Sequence, residues 1–427
     1  MANVTPTSNH SRAPVPTHEL VSGWAIATVI VGVGITLPAF VIGAAVIRAL
    51  GLRDGVVAFA VGGASTALLA LLTMRVGAKT RASTYSIVRR CFGVWGSQAL
   101  NVLLALTLLG WYGVTATLFG DALGNSIRSV FAVSVSPLVL TALGGVLMIV
   151  TTIFGFRAID RLSRIAVPAL LTVLLFSVWR VFDDANWSTL LAVPSTPTTN
   201  LSSIPAAVSV LVGSFIVGVT LTPDLARFSR SPSEAVPAAI ASYGIGYPII
   251  LLLAGLPVLL HTDNDLISAM EANGLGLAAL LVMVVATWTT NVNNLYSASL
   301  GVARVVPAFP DWLITVACGV TGTGMALAGI MNVFIPFLIF LGVFIPPIAG
   351  IYLTAHHRHD IDMDAVHPVP SIVWPAVIAW LVASAWGLVV YFQPSLIISG
   401  IPAIDTLVVA VVAYAVLARL LPARIPH

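Results

Sequence analysis

The chain has 427 residues, of which 58% are hydrophobic and only 8% charged, with a formal net charge of +3. Soluble domains carry about 25% charged residues, so a soluble enzyme is excluded. No basic patch with interleaved aromatics supports a nucleic-acid partner. Cys91 and Cys318 fall in separate segments and give neither a disulfide framework nor a metal-binding spacing.

In chain order, residues 1–20 are polar and lack the basic start and cleavage site of a signal peptide. They read as a disordered cytoplasmic tail. Beyond them, apolar segments of about 20 residues, each enough to cross about 30 Å of hydrocarbon, alternate with charged clusters. The spacing predicts twelve transmembrane helices, at 22–47, 55–77, 97–121, 133–155, 163–182, 205–223, 235–260, 275–299, 313–331, 333–355, 371–392 and 400–421. The fold class is therefore all-α and polytopic. Residues 21–355 form a ten-helix core, and 356–427 a cytoplasmic loop with two additional helices.

Orientation follows from the basic residues. With both termini inside, the inner segments hold Arg12, Arg75, Lys79, Arg81, Arg89, Arg90, Arg157, Arg161, Arg164, Arg227, Arg230, Arg304, Arg358, Arg419 and Arg424. The outer segments hold only Arg48, Arg53, Arg128 and Arg180. Basic residues concentrate on the cytoplasmic side of membrane proteins. The loop with His261, Asp263, Asp265 and Glu271 is acidic, as an outer loop should be. The His356–His367 loop reads as solvated charge more readily than as a metal tract.

Two spans cannot be regular helices. Span one reads Val31-Gly32-Val33-Gly34-Ile35-Thr36-Leu37-Pro38, and span six Val217-Gly218-Val219-Thr220-Leu221-Thr222-Pro223. Each carries glycine, threonine and proline inside an apolar run, and proline cannot donate the helical hydrogen bond. Irregular backbone in hydrocarbon is tolerated only where protein or a water-filled cavity receives its polar groups. Either Val212–Phe228 lines a cavity, or it is a proline-kinked helix without a site. Five spans separate the pair, an odd number, as an inverted repeat requires, and paired broken helices point to a transporter site.

Span three contributes Gly110-Trp111-Tyr112-Gly113, and span six places Phe215 between Ser214 and Ile216. Two such rings could sandwich a flat heteroaromatic ligand, or pack into the core or against lipid, which aromatic content alone favours. Span eight supplies Ala286-Thr287-Trp288-Thr289-Thr290-Asn291-Val292-Asn293-Asn294. Thr289 and Thr290 lie three and four residues after Ala286, on one helix face. Their hydroxyls could either hold a cation or bond back to preceding carbonyls. No carboxylate falls at a span centre, which disfavours a simple carboxylate proton relay and suits a hard ion bound by neutral oxygens. There is no Ser–His–Asp arrangement and no HExxH, so an intramembrane enzyme is disfavoured.

Six stretches then occur in a characteristic order. They are Val76-Gly77-Ala78-Lys79-Thr80 with Arg89-Arg90-Cys91-Phe92-Gly93, Gly110-Trp111-Tyr112-Gly113, Val212-Gly213-Ser214-Phe215, Asp224-Leu225-Ala226-Arg227-Phe228, Trp288-Thr289-Thr290-Asn291 and Ile345-Pro346-Pro347. Together they resemble the nucleobase:cation symporter-1 family, in its bacterial cytosine permease branch, from about span one to span ten. The resemblance implies two inverted five-helix repeats in a leucine-transporter-like fold, followed by two further helices. It implies that Trp111 and Phe215 stack on the substrate ring and that Ser214 and Asn291 bond its edge. It also implies a cation held by the carbonyls of Gly32, Ile35 and Ala286 and the hydroxyls of Thr289 and Thr290.

Three positions depart from that branch. Leu108 stands where a glutamine is usual, Val217 where a serine is usual, and Val292 where an acidic residue is frequent. The expected activity is secondary active import of a nucleobase-like planar heterocycle by cation symport and alternating access. Na⁺ is the expected ion, with H⁺ as the alternative, and no enzymatic cofactor is expected. A transporter of a hydantoin or vitamin and a non-transporting binding protein are the rivals. The expected partners are a small heterocycle and membrane lipid, and the expected location is the cell membrane.

Overall fold

The computed structural model of the chain describes residues 20–154, 156–184, 186–259, 276–303, 305–306, 308–358 and 369–421. The expected polar tail, the acidic 261–271 loop and most of the His-rich loop lie outside these.

The first helix, α1 (Gly23–Gly34), opens on Ser22, whose hydroxyl accepts from the Ala25 amide at 3.4 Å. It stops at Ile35-Thr36, both non-helical, and α2 (Leu37–Thr80) begins with Pro38 in its first turn. Proline is tolerated there because first-turn amides have no intrahelical acceptor. A straight helix of 44 residues would run about 66 Å, twice the hydrocarbon thickness. Gly51 resolves this with φ +78°, a left-handed conformation that bends the run into two arms. Gly93, at φ +81°, does the same inside α3 (Thr84–Phe131). There the Val94 and Trp95 amides donate to the carbonyls of Pro370 and Ser371.

Then follow α4 (Pro137–Phe154), α5 (Phe156–Asp184), α6 (Trp187–Ala192), α7 (Ile204–Thr220) and α8 (Pro223–Ala226). A mixed helix comes next: α9 (Ala235–Ala239), a π turn over Ile240–Gly246, and α10 (Tyr247–Gly255). The chain continues as α11 (Gly276–Ala303), α12 (Asp311–Leu327), α13 (Phe334–Phe344), α14 (Pro346–His357), α15 (Trp374–Phe392) and α16 (Pro402–Leu420).

Among the described residues, seven helical runs are long and apolar enough to cross a membrane, and three further apolar helices are shorter. The fold is thus an all-helical polytopic bundle. Large apolar side chains such as Trp95, Leu138, Val320 and Val412 are exposed on its outside. In water such a surface would be a liability; facing lipid it is solvated. The most extensive packing is α3 against α11, followed by α2 against α10 and α7 and by α15 against α16.

The irregular stretch of span six divides its duties. Its freed polar groups are met by protein. The Thr222 hydroxyl donates to Val219 O at 2.8 Å and lies 2.6 Å from the Thr73 hydroxyl, while Tyr352 OH donates to Thr220 O at 3.1 Å. Beyond α8, the Arg81 guanidinium gathers the carbonyls of Arg227, Ser229 and Arg230. Asp224 Oδ1 accepts the first helical amide of α3, from Thr84, at 2.8 Å. The same end holds the start of α1: Val21 N donates to Phe228 O, Arg230 N to Val21 O, and Gly23 N to Glu234 Oε2 at 2.7 Å.

Candidate functional site

A cavity of about 210 Å³ opens where the α1/α2 break, α3, α7, the π turn and α11 meet. Its size suits a small ring system rather than a drug-sized ligand, whose pockets start at about 300 Å³.

Two aromatic walls bound it. Trp111 lines one side and is held by edge-to-face contacts with Phe334 (centroids 5.7 Å apart) and Phe337 (5.9 Å). Phe215 lines another, stacked on Tyr247 at 4.1 Å and 17°. Tyr243 packs edge-on against both Phe215 and Tyr247, and Tyr247 OH donates to Ile30 O at 3.0 Å. One face of Phe215 is therefore taken by Tyr247. Motif reading missed both tyrosines. Their only local trace is an i, i+4 spacing, which puts both on one helical face, Tyr243 within the π turn and Tyr247 just after it.

The cavity also collects Leu108, Ser214, Val217 and Thr290. Ser214 Oγ donates to Leu211 O at 2.7 Å, so toward the cavity the hydroxyl can act as an acceptor. Leu108 and Val217 present methyl groups where polar partners stand in the branch that the chain resembles. Val292 is fully buried. Asn291 is not brought to the lining. It is 0% exposed, its amide nitrogen donates to Tyr112 O at 3.0 Å and lies 3.1 Å from Met148 S. Its Oδ1 has no partner among the described residues. Asn294, almost one turn on, lines the cavity instead.

The candidate cation donors sit beside this space. In an unbroken helix the Thr36 amide would donate to Gly32 O; here it donates to Gly34 O at 3.0 Å, which releases the Gly32 carbonyl. Ile35 has left helical geometry, so its carbonyl no longer points along a helix axis, and Pro38 has no N–H to offer the Gly34 carbonyl four residues back. Thr290 lines the cavity, Thr289 is buried behind it, and Ala286 lies in the same helix with its side chain outside the described atoms. Thr36 is a further hydroxyl at the lining that the sequence did not single out. Neutral oxygens of this kind fit a hard monovalent cation. Among the described residues, no cluster of three His, Cys, Asp or Glu could hold a metal.

The aromatic wall depends on Gly34. A Cβ built there falls inside the edge of the Tyr247 ring, whereas one on Gly32 meets nothing within 4 Å. Gly34→Ala is expected to cost about 1–3 kcal/mol by overpacking and to displace Phe215 through Tyr247. Gly32→Ala is expected to keep its melting temperature. Thermal unfolding of the two purified variants checks the contrast, and equal melting temperatures would refute it.

Comparison with known proteins agrees with this geometry. Residues 14–417 match the family model described as permease for cytosine/purines, uracil, thiamine, allantoin. The chain is 30% identical to the cytosine permease of Escherichia coli strain K12 over 384 residues, 89% of each protein. It is 24% identical to the hydantoin permease of Microbacterium maritypicum over 371 residues, 77% of this chain and 73% of that one. Its fold matches the structure of Mhp1, a nucleobase-cation-symport-1 family transporter, in a closed conformation with bromovinylhydantoin bound. The TM-score there is 0.77 at 20% identity, covering 97% of both chains. A multi-pass membrane protein with this cavity and these relatives is a permease and not an enzyme, and it belongs to the nucleobase:cation symporter-1 family of permeases for cytosine/purines, uracil, thiamine and allantoin.

Proposed function

We propose that the protein imports a planar heterocycle of the nucleobase class together with a cation, Na⁺ in the first instance, by alternating access. The observation that carries this is the cavity between two broken helices, with Trp111 and Phe215 in its walls and Thr290 at its edge. The cation is held by the carbonyls of Gly32, Ile35 and Ala286 with the hydroxyls of Thr289 and Thr290. The chain crosses the cell membrane twelve times: two inverted five-helix repeats over 21–355, then a loop and two helices over 356–427. Both termini are cytoplasmic, which places the arginine-rich end around Arg81, Arg227 and Arg230 inside.

A second reading is favoured by one observation. Leu108 and Val217 line the cavity with methyl groups, which suits a less polar ring, such as a substituted hydantoin, better than cytosine. The hydantoin permease among the relatives points the same way.

Uptake into proteoliposomes of cytosine, uracil, hypoxanthine and a 5-substituted hydantoin, with and without an inward Na⁺ gradient, tests both readings. One of these rings is expected to accumulate in a saturable, Na⁺-dependent way, and its identity separates them. Thr290→Ala is expected to remove most of the Na⁺ dependence while the protein stays folded. Binding without flux would support a sensor, and full Na⁺ dependence in Thr290→Ala would move the cation elsewhere.

A further inference from the structure

A second and larger cavity, about 290 Å³, adjoins the first on the side of Arg227 and Asp224. Leu108 and Leu221 line both cavities and form the partition between them. The walls are continuous across it. On α3, Thr115, Trp111 and Leu108 face the first cavity, and Leu108, Leu104 and Asn101 face the second. Steps of four, three, four and three residues keep these positions on one helical face. On α11, Thr290 and Asn294 face the first cavity, and Ser297 and Gly301 the second, again in steps of four, three and four.

The second cavity has hydrogen-bonding capacity that the fold does not use. Asn101 is 9% exposed and Thr84 1% exposed, and both belong to its lining. Asn101 Nδ2 and Thr84 Oγ1 are buried without a hydrogen-bond partner among the described residues. A buried polar group left unpaired is costly, and each such group calls for an explanation. Two on the wall of one cavity have a common explanation in an occupant that carries both donors and acceptors. A turn of either side chain would present it to that occupant. The charged lining residues, Asp224 and Arg227, are one of each sign, which favours a neutral polar molecule over an anion.

We propose that this cavity is a second binding site, an exit site, in which a neutral heterocycle with amide-like edges pauses after passing Leu108 and Leu221, held by Asn101 and Thr84. The proposal rests on the transport reading above, because it takes the ligand class and the cytoplasmic position of this end from it. Its ring lies against the partly apolar wall of Leu104, Ala105 and Leu300. It differs from the central site in lacking tryptophan and phenylalanine among its lining residues.

Ser297→Cys places a thiol in the lining for the test. The native cysteines, Cys91 and Cys318, are both buried, and wild type supplies the background. Purified full-length protein is alkylated with N-ethylmaleimide in the presence of cytosine, uracil, hypoxanthine or a 5-substituted hydantoin. A ring that raises the melting temperature of wild type is expected to slow alkylation. At about ten times its dissociation constant the slowing is about tenfold, the mass-action factor. The same protection is expected in Ser297→Cys/Trp111→Ala, where the central site is disabled, with Trp111→Leu as the substitute if that variant does not fold. It is expected to vanish in Ser297→Cys/Asn101→Leu, with Thr84→Val as the alternative.

Protection that disappears with Trp111→Ala, or with Trp111→Leu in its place, would overturn the exit site, because a ring in the central cavity alone would then explain it. So would a ring that shifts the melting temperature but never protects the introduced thiol. If no ring shifts the melting temperature of wild type, the transport reading is what fails. Protection of the introduced thiol would still support a site here in that case, and its absence would reject both.

Discussion

Trp111→Ala is expected to weaken ligand binding at the central cavity sharply while leaving a folded protein, because Trp111 lines that cavity and not the second one. The indole is fixed by Phe334 and Phe337 on α13, not by the ligand, so its orientation exists before binding. A ring stacked on such a preset surface gains about 1–3 kcal/mol, and removal also widens the cavity, so the stack cannot simply close again. The expected loss is about 5- to 150-fold in affinity, enough to turn a micromolar dissociation constant into one of tens to hundreds of micromolar. Isothermal titration with the best ligand of the heterocycle panel reads this directly. Unchanged affinity would return Trp111 to a packing role. Phe215→Ala is expected to do less, because Tyr247 stands behind it at 4.1 Å and can offer its own face.

The opposite change is expected from Leu108→Gln combined with Val217→Ser. Both positions line the central cavity, and in the branch that the chain resembles a glutamine and a serine stand there. A polar ring edge that finds only methyl groups loses on the order of 1–3 kcal/mol per unpaired group. Restoring two partners is therefore expected to improve cytosine affinity about a hundredfold or more, and to weaken binding of a less polar hydantoin. The two single variants should each give part of the gain, and their sum should differ from the double variant, because both contact one ligand. Cytosine affinity that stays the same in the double variant would show that these two side chains do not set ligand choice.

The two breaks were legible because their causes are local. Glycine, threonine and proline within a few residues act on the backbone without help from elsewhere, and the gaps at Ile35-Thr36 and Leu221-Thr222 fall within the stretches that carry them. Trp111 and Phe215 were legible only through motif resemblance, since an aromatic in a membrane helix has no local mark of its duty. The stack of Phe215 on Tyr247 was not legible, because it joins distant parts of the chain through a π turn whose extra residue has no sequence signature. Helix phase was half legible. Spacing groups Thr290, Asn294, Ser297 and Gly301 on one stripe of α11, but which stripe faces the cavity is set by packing against α3, and Asn291 belongs to another. The unpaired atoms of Thr84 and Asn101 could not be foreseen at all, since the absence of a partner is a property of the assembled bundle.

The backbone lacing between Val21 and Phe228–Arg230, with Gly23 tied to Glu234, has a kinematic consequence. It joins the starting end of α1 to the chain just beyond α8, so the segments on that side of the two breaks are coupled as a lever. Rotation of one carries the other through the same angle. The bending is expected to be absorbed at Ile35-Thr36, where the backbone has left helical geometry, and at Leu221-Thr222, where α7 passes into α8 through an i→i−3 hydrogen bond from Thr222 N to Val219 O. A lever with its hinges beside the ligand and its grip at the membrane face turns a small displacement in the cavity into a larger one at the arginine-rich end.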